Sequence, residues 1–173
     1  PIWNCSATGD VSGSNLYTGG LLGANDATVS NSFASGNTIG ASRTGGLIGT
    51  NSGSLSNNTA SGNVMGTGLV GGLIGAHGSA TVHLCTARGN VVGSGDNVGG
   101  LIGSSSGGPL SNNMASGNVT GAGENVGGLL GWNRGTVIDS TASGSVTGTS
   151  INSDYVGGLI GFQDTVNTAN PSY

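Results

Sequence analysis

The stretch VGGLIG at residues 70–75 returns along the chain as TGGLLG at 18–23, TGGLIG at 44–49, VGGLIG at 98–103, VGGLLG at 126–131 and VGGLIG at 156–161. The first glycines of these copies, Gly19, Gly45, Gly71, Gly99, Gly127 and Gly157, lie 26, 26, 28, 28 and 30 residues apart. A fixed period of this length marks a repeat architecture before any single motif is weighed. A second block keeps the same period: CSATGDVSG (5–13), SFASGNTIG (32–40), NTASGNVMG (58–66), CTARGNVVG (85–93), NMASGNVTG (113–121) and STASGSVTG (140–148). One apolar residue stands five positions before the alanine of each block: Ile2, Val29, Leu55, Val82, Leu110 and Val137.

Apolar residues nowhere keep helical spacing over three turns, and glycine and β-branched residues dominate. Each unit therefore reads as short strands: one led by the single apolar residue, one over A-S-G-N-V, then a variable loop, a strand over GGLIG and a polar turn. Such a unit is too small to bury a face alone, and stacking like units solves this, with successive coils paired strand on strand about 4.8 Å apart. A propeller blade needs roughly 40 residues or more, which a period of 26–30 does not supply. The expected fold is an all-β parallel β-solenoid of about six coils of 26–30 residues, right-handed by the crossover rule, forming one array over residues 1–173.

Strand alternation assigns the faces. In the second block the residues Cys/Ser/Asn, Ala, Gly, Val/Thr and Gly fall on one side and read as small inward fillers, whereas the interleaved residues are mostly polar and face out. Glycine lets one coil's backbone approach the next. The leucines of the GGL triplets, Leu21, Leu47, Leu73, Leu101, Leu129 and Leu159, fill the lumen. Each is followed by Leu or Ile, and a straight strand would push that neighbour outward. A ladder of Leu22, Ile48, Ile74, Ile102, Leu130 and Ile160 left in water invites aggregation, so the coil is expected to bend there and turn both residues in.

Composition narrows the function classes. Only 6% of residues are charged and 38 are glycine, both far from globular averages of about 25% and 7%. With three Lys and Arg residues and a net charge of −4, no basic cluster exists to neutralise phosphates, and nucleic acid is not an expected partner. No run of about 18 apolar residues occurs, so no membrane-spanning helix is expected. The chain begins at Pro1 without a signal peptide, and reads as a segment of something longer.

The GGLIG and GGLLG copies, with their ASGNV partners, resemble the GLUG repeat over about residues 1–165. GLUG repeats are found in large bacterial surface proteins, among them filamentous adhesins and the non-catalytic regions of IgA-cleaving metallopeptidases. The resemblance implies an extracellular or cell-surface repeat array and defines no ligand.

Candidate chemistry is sparse, and no cofactor is expected. The two histidines, His77 and His83, lack the His-Glu-x-x-His spacing of a zinc peptidase. His83 stands two residues from Cys85, which on a strand makes them same-side neighbours but supplies no orienting acid for nucleophilic catalysis. The chain is accordingly read as a non-enzyme. GSGDNVGG imitates a phosphate cradle but leads into no helix. Asp96, Glu124 and Asp154 each lie two residues before a valine of the GGL strand and would stack in register. They are metal candidates only in the weak sense that stacked carboxylates repel unless solvated or bridged. Asn25, Asn51 and Asn133 share a slot with His77, Ser105 and Gln163, where side chains can bond up and down the column.

The expected function is a structural and adhesive module: a stiff spacer whose outer surface meets a protein or glycan surface, or self-associates into fibres. Its contact face would comprise Thr59, Ser61, Asn63, Thr86, Asn90, Ser116, Asn118, Thr141 and Ser143. The alternative is ice or glycan binding by that same Thr/Ser/Asn face, although Phe33, Ile39, Arg88 and Met114 interrupt its rows. Cys5 and Cys85 occupy one repeat slot three coil steps apart, about 14 Å, too far for a disulfide. Both are expected reduced and facing the lumen.

Overall fold

The computed structural model describes residues 1–150 and 155–164. The described residues form strands and turns without helix, and these strands make five parallel sheets of six strands each, one strand per coil. The third coil illustrates the path: Leu55–Ser56 in sheet I, Thr59–Ala60 in sheet II, Val64–Gly66 in sheet III, Leu69–Gly71 in sheet IV and Ile74–His77 in sheet V. Every pairing joins equivalent repeat positions, as in Leu55 with Val29 and Val82, Ala60 with Ala34 and Ala87, and Ile74 with Ile48 and Ile102. The fold is the β-solenoid of about six coils that the period predicts.

The strands are shorter than the sequence suggests. A-S-G-N-V is not one strand: it divides at Ser-Gly-Asn into the strands of sheets II and III. In-out alternation nevertheless runs unbroken through the division, with Ala60, Gly62, Val64 and Gly66 buried and Ser61, Asn63 and Met65 exposed. Space explains the glycine in that step. A Cβ on Gly62 would strike the carbonyl oxygen of Gly36 in the coil below, and Gly89 meets Gly62 in the same way. The GGL triplet likewise divides between sheets IV and V. Its corner turns both Leu73 and Ile74 inward to full burial, as with Leu47 and Ile48, Leu101 and Ile102, and Leu129 and Leu130. A side chain on Gly46, the second glycine of its pair, would meet the carbonyl oxygen of Gly72 and the Cβ of Ala60.

The triplet leucines line the lumen in the inner coils but not at the ends. Leu21 is half-buried and Leu159 is 39% exposed, because no described coil covers the outer side of either. Between sheets I and II one residue per coil takes a left-handed conformation: Asn4, Asn31, Asn57, Leu84, Asn112 and Asp139, with φ of 47–55°. Asn suits this corner because its short polar side chain tolerates the conformation.

Candidate functional site

Three side-chain columns hold the coils in register, and two of them run through the expected contact surface and lumen. The first follows the GLIG strands. Asn25 Nδ2 donates to Asn51 Oδ1 at 2.6 Å, Asn51 Nδ2 to His77 Nδ1 at 3.1 Å, and Asn133 Nδ2 to Gln163 Oε1 at 2.8 Å. The same amides cap their own turns, with Asn51 Nδ2 also donating to Gly53 O at 2.6 Å. His77 is buried, and burial pushes its pKa below the ordinary value. With Nδ1 accepting from Asn51, Nε2 carries the proton and donates to Ala80 O at 2.9 Å.

The second column is the Cys/Ser/Asn slot at the head of each block. Its members are not passive fillers. Asn58 Oδ1 accepts the Ser32 N–H at 3.0 Å while its Nδ2 donates to Val29 O at 2.9 Å, clamping the corner of the preceding coil. Asn113 clamps Cys85 and Val82 in the same way, at 2.9 Å for both bonds. Cys85 is buried, and burial raises its thiol pKa. Both cysteines are free; Cys5, in the first described coil, is exposed, and its thiol donates to Trp3 O at 3.4 Å as the Cys85 thiol does to His83 O. The Cys85 thiol donates to the backbone carbonyl of His83 at 3.3 Å, whereas the His83 ring meets Ser111 Oγ at 2.9 Å. The left-handed Leu84 between them breaks the alternation that would have made them same-side neighbours.

The third column belongs to the expected contact face. Asp10, Asn37, Asn63, Asn90 and Asn118 each accept, through a side-chain oxygen, the backbone N–H of the equivalent residue one coil on, at 2.7–3.0 Å. One oxygen of Asn63, Asn90 and Asn118 is therefore committed to holding coils together. The remaining face residues are open to water: Ser61, Ser116, Thr141 and Ser143 are exposed, and Thr59 and Thr86 are half-buried. Their rows are mixed, since Thr59 pairs with Phe33 and Thr86 with Met114, both exposed apolar residues. Beside the Asn column, Ile39, Met65 and Val92 form an exposed apolar row along a shallow groove of about 390 Å³.

Asp96 and Glu124 lie at exposed positions on adjacent coils, next to the paired Asn97 and Asn125; Asp154 lies outside the described residues. Among the described residues no three His, Cys, Asp or Glu side chains come together. The two carboxylates instead share a cleft of about 330 Å³ with Asn97, Ser104, Asn125 and Trp132. Sequence reasoning missed this cleft. The available signal was Trp132, a large ring in a repeat slot held by Ala24, Thr50, Ala76 and Ser104 in the earlier coils. Among the described residues no helix is long and apolar enough to cross a membrane.

The family model of the GLUG motif matches residues 14–39 and 122–147. The two windows cover the same phase of the repeat, from the loop before a GGL triplet to the strand after A-S-G, which is consistent with a GLUG-repeat region. No curated protein and no solved structure matches the chain significantly.

Proposed function

We propose that this GLUG-repeat solenoid is a stiff, non-catalytic spacer and contact module of a secreted or surface-exposed bacterial protein. The observation that supports the spacer role is the unbroken register of five sheets, reinforced by the side-chain columns, which ties each coil to its neighbours at several points. Load applied along the axis is shared over these parallel connections, since each repeat contacts only the repeats beside it. The contact role draws on the exposed Thr/Ser/Asn rows and the adjoining Ile39, Met65 and Val92 row. Phe33 and Met114 interrupt the threonine column, so the face lacks the regular array that ice binding favours.

Pulling the chain from both ends in a force spectrometer tests the spacer reading. Stepwise extension in increments of one coil, each against a measurable force, is the expected record. Smooth extension without resisted steps would remove the mechanical role. For the contact role, adsorption to protein-coated and glycan-coated surfaces should fall when Ile39, Met65 and Val92 are replaced together by serine; unchanged adsorption assigns the contact elsewhere.

A further inference from the structure

Sheets IV and V meet at a corner where each coil sets two outward residues near one another. In the fourth to sixth coils these are Asn97 with Ser104, Asn125 with Trp132, and Tyr155 with Phe162. The Tyr155 and Phe162 rings pack together with centroids 4.8 Å apart and so close the corner in the last coil. One and two coils below, the corner opens into the cleft that holds Asp96 and Glu124.

The chemistry of this cleft is mixed in a specific way. Trp132 offers a flat apolar ring, held in place by the Arg134 guanidinium 5.1 Å from the ring centroid, which is in turn paired with Asp164 at 2.6 Å. Asn125 Nδ2 donates to Asn97 Oδ1 at 2.6 Å, a bond that does not use the Asn97 amide nitrogen or the Asn125 side-chain oxygen, and both residues line the cleft. Ser104 adds a hydroxyl, and the two carboxylates add acceptors. Among the described residues, none that lines the cleft is cationic. An anion would meet two carboxylates, and the neighbouring Arg134 guanidinium is already paired with Asp164. An ammonium ligand would use the acceptors but leave the Asn97, Ser104 and indole donors unused. Sugar hydroxyls donate and accept at once, and the C–H face of a sugar ring suits an aromatic plate. The volume is at the lower end of ligand pockets, about 300–1,000 Å³, which suits a short stretch of sugar.

We propose that the corner cleft of the fourth and fifth coils binds a neutral saccharide, with a ring face laid on Trp132 and hydroxyls shared among Asp96, Glu124, Asn97 and Asn125. This goes beyond the spacer reading and uses none of the Thr/Ser/Asn contact face. A spacer that fails the force measurement could still bind sugar here, and a resistant one could fail to.

Affinity electrophoresis of the full chain tests it, with gels containing dextran, soluble β-glucan, arabinoxylan or galactomannan. Alginate serves as the anionic probe and chitosan oligomers as the cationic one. Retardation is expected in at least one neutral polysaccharide, weakened at least tenfold by Trp132→Ala and partly restored by Trp132→Phe. Asp96→Ala, at an exposed position, should weaken it at least threefold. Absence of retardation in every neutral polysaccharide overturns the proposal, as does unchanged retardation in a Trp132→Ala variant that keeps the parent's circular dichroism. Retardation by chitosan alone, lost in Glu124→Gln, also overturns it by making the cleft an ammonium site. If Trp132→Ala does not fold, Asp96→Ala decides: unchanged binding refutes the saccharide site.

Discussion

The lumen is divided into two compartments that are filled by different rules. The wider one, between sheets I, II and V, holds the Leu-Ile pairs of the GGL corner with the leading apolar residues and the alanine column. The narrower one, between sheets III and IV, is packed by valines: Val64, Val70, Val91, Val98, Val119 and Val126. Glycine sets the difference in width. A Cβ on Gly66, Gly93 or Gly121 would run into the valine across the narrow compartment, so these walls can approach only without side chains. The two also differ in how they treat polarity. The side chains of buried Asn58 and Asn113 at the edge of the wide compartment are hydrogen-bonded to at least two partners each. In the second coil the narrow compartment carries Thr38 and Thr44, buried, with hydroxyls that have no partner. A wide space with clamped walls excludes unpaired polar groups, whereas a β-branched slot accepts a threonine because its shape is that of valine.

The largest expected effect breaks the wide compartment. Leu73→Asp places a charge at a fully buried position among apolar side chains, and should destabilise by several kcal/mol, at least about 4. Leu159→Asp makes the same change in the same repeat slot of the last coil, where the side chain is 39% exposed, and should cost much less. Urea denaturation of both variants checks the contrast. Equal midpoints would mean that the end coil is packed as tightly as the middle.

The opposite sign is expected in the narrow compartment. Thr38→Val and Thr44→Val each remove a buried hydroxyl without a partner and restore the residue found in later coils at that slot. An unsatisfied buried group costs about 1–3 kcal/mol, so each variant should raise stability by an amount in that range. A decrease would mean that these hydroxyls are satisfied and that the two compartments obey one rule.

The repeat made the wide compartment legible in the sequence and left the corners obscure. Period and alternation sufficed to place Leu73 and Ala60 inside, because burial in a solenoid follows position within the unit. The left-handed step between sheets I and II was not legible, since Asn31, Asn57 and Asn112 look like any polar residue preceding a strand. The clamping role of Asn58 and Asn113 was hidden for a related reason: alternation tells which way a side chain points but not what it meets there. The saccharide cleft depends on Asn125 and Trp132 meeting across a corner, a relation that repeat register alone does not express. The left-handed step yields a prediction of its own. Leu84 holds φ 52° where four of the six coils have Asn, and it is exposed. A left-handed non-glycine residue costs roughly 1–2 kcal/mol, which Asn reduces. Leu84→Asn should therefore stabilise by about 1 kcal/mol, read as a raised melting midpoint; no rise would show that this corner, unlike the lumen, is indifferent to residue type.

The smallest effect concerns the polar column flanking the wide compartment. His77 replaces the Asn of the coils below and joins the column only when neutral, because Nδ1 must accept from Asn51 while Nε2–H donates to Ala80 O. Burial lowers its pKa in the folded chain below the unfolded value of 6.5. Between those two values the unfolded chain binds more protons, so the contribution of His77 is fully present above pH 6.5 and is lost as pH falls toward the folded pKa. One group titrating in this way changes stability by at most about 1.4 kcal/mol per pH unit. At pH 5.5, one unit below the unfolded value, the parent should thus be less stable than at pH 7.5, by no more than about 1.4 kcal/mol. His77→Asn extends the amide column with a residue that does not titrate, and should remove this part of the pH dependence while leaving stability at pH 7.5 close to the parent's. Denaturation midpoints of both chains at the two pH values decide the matter. An equal fall in parent and variant would mean that the acid sensitivity lies elsewhere, and that the column tolerates a charged imidazole beside an apolar compartment.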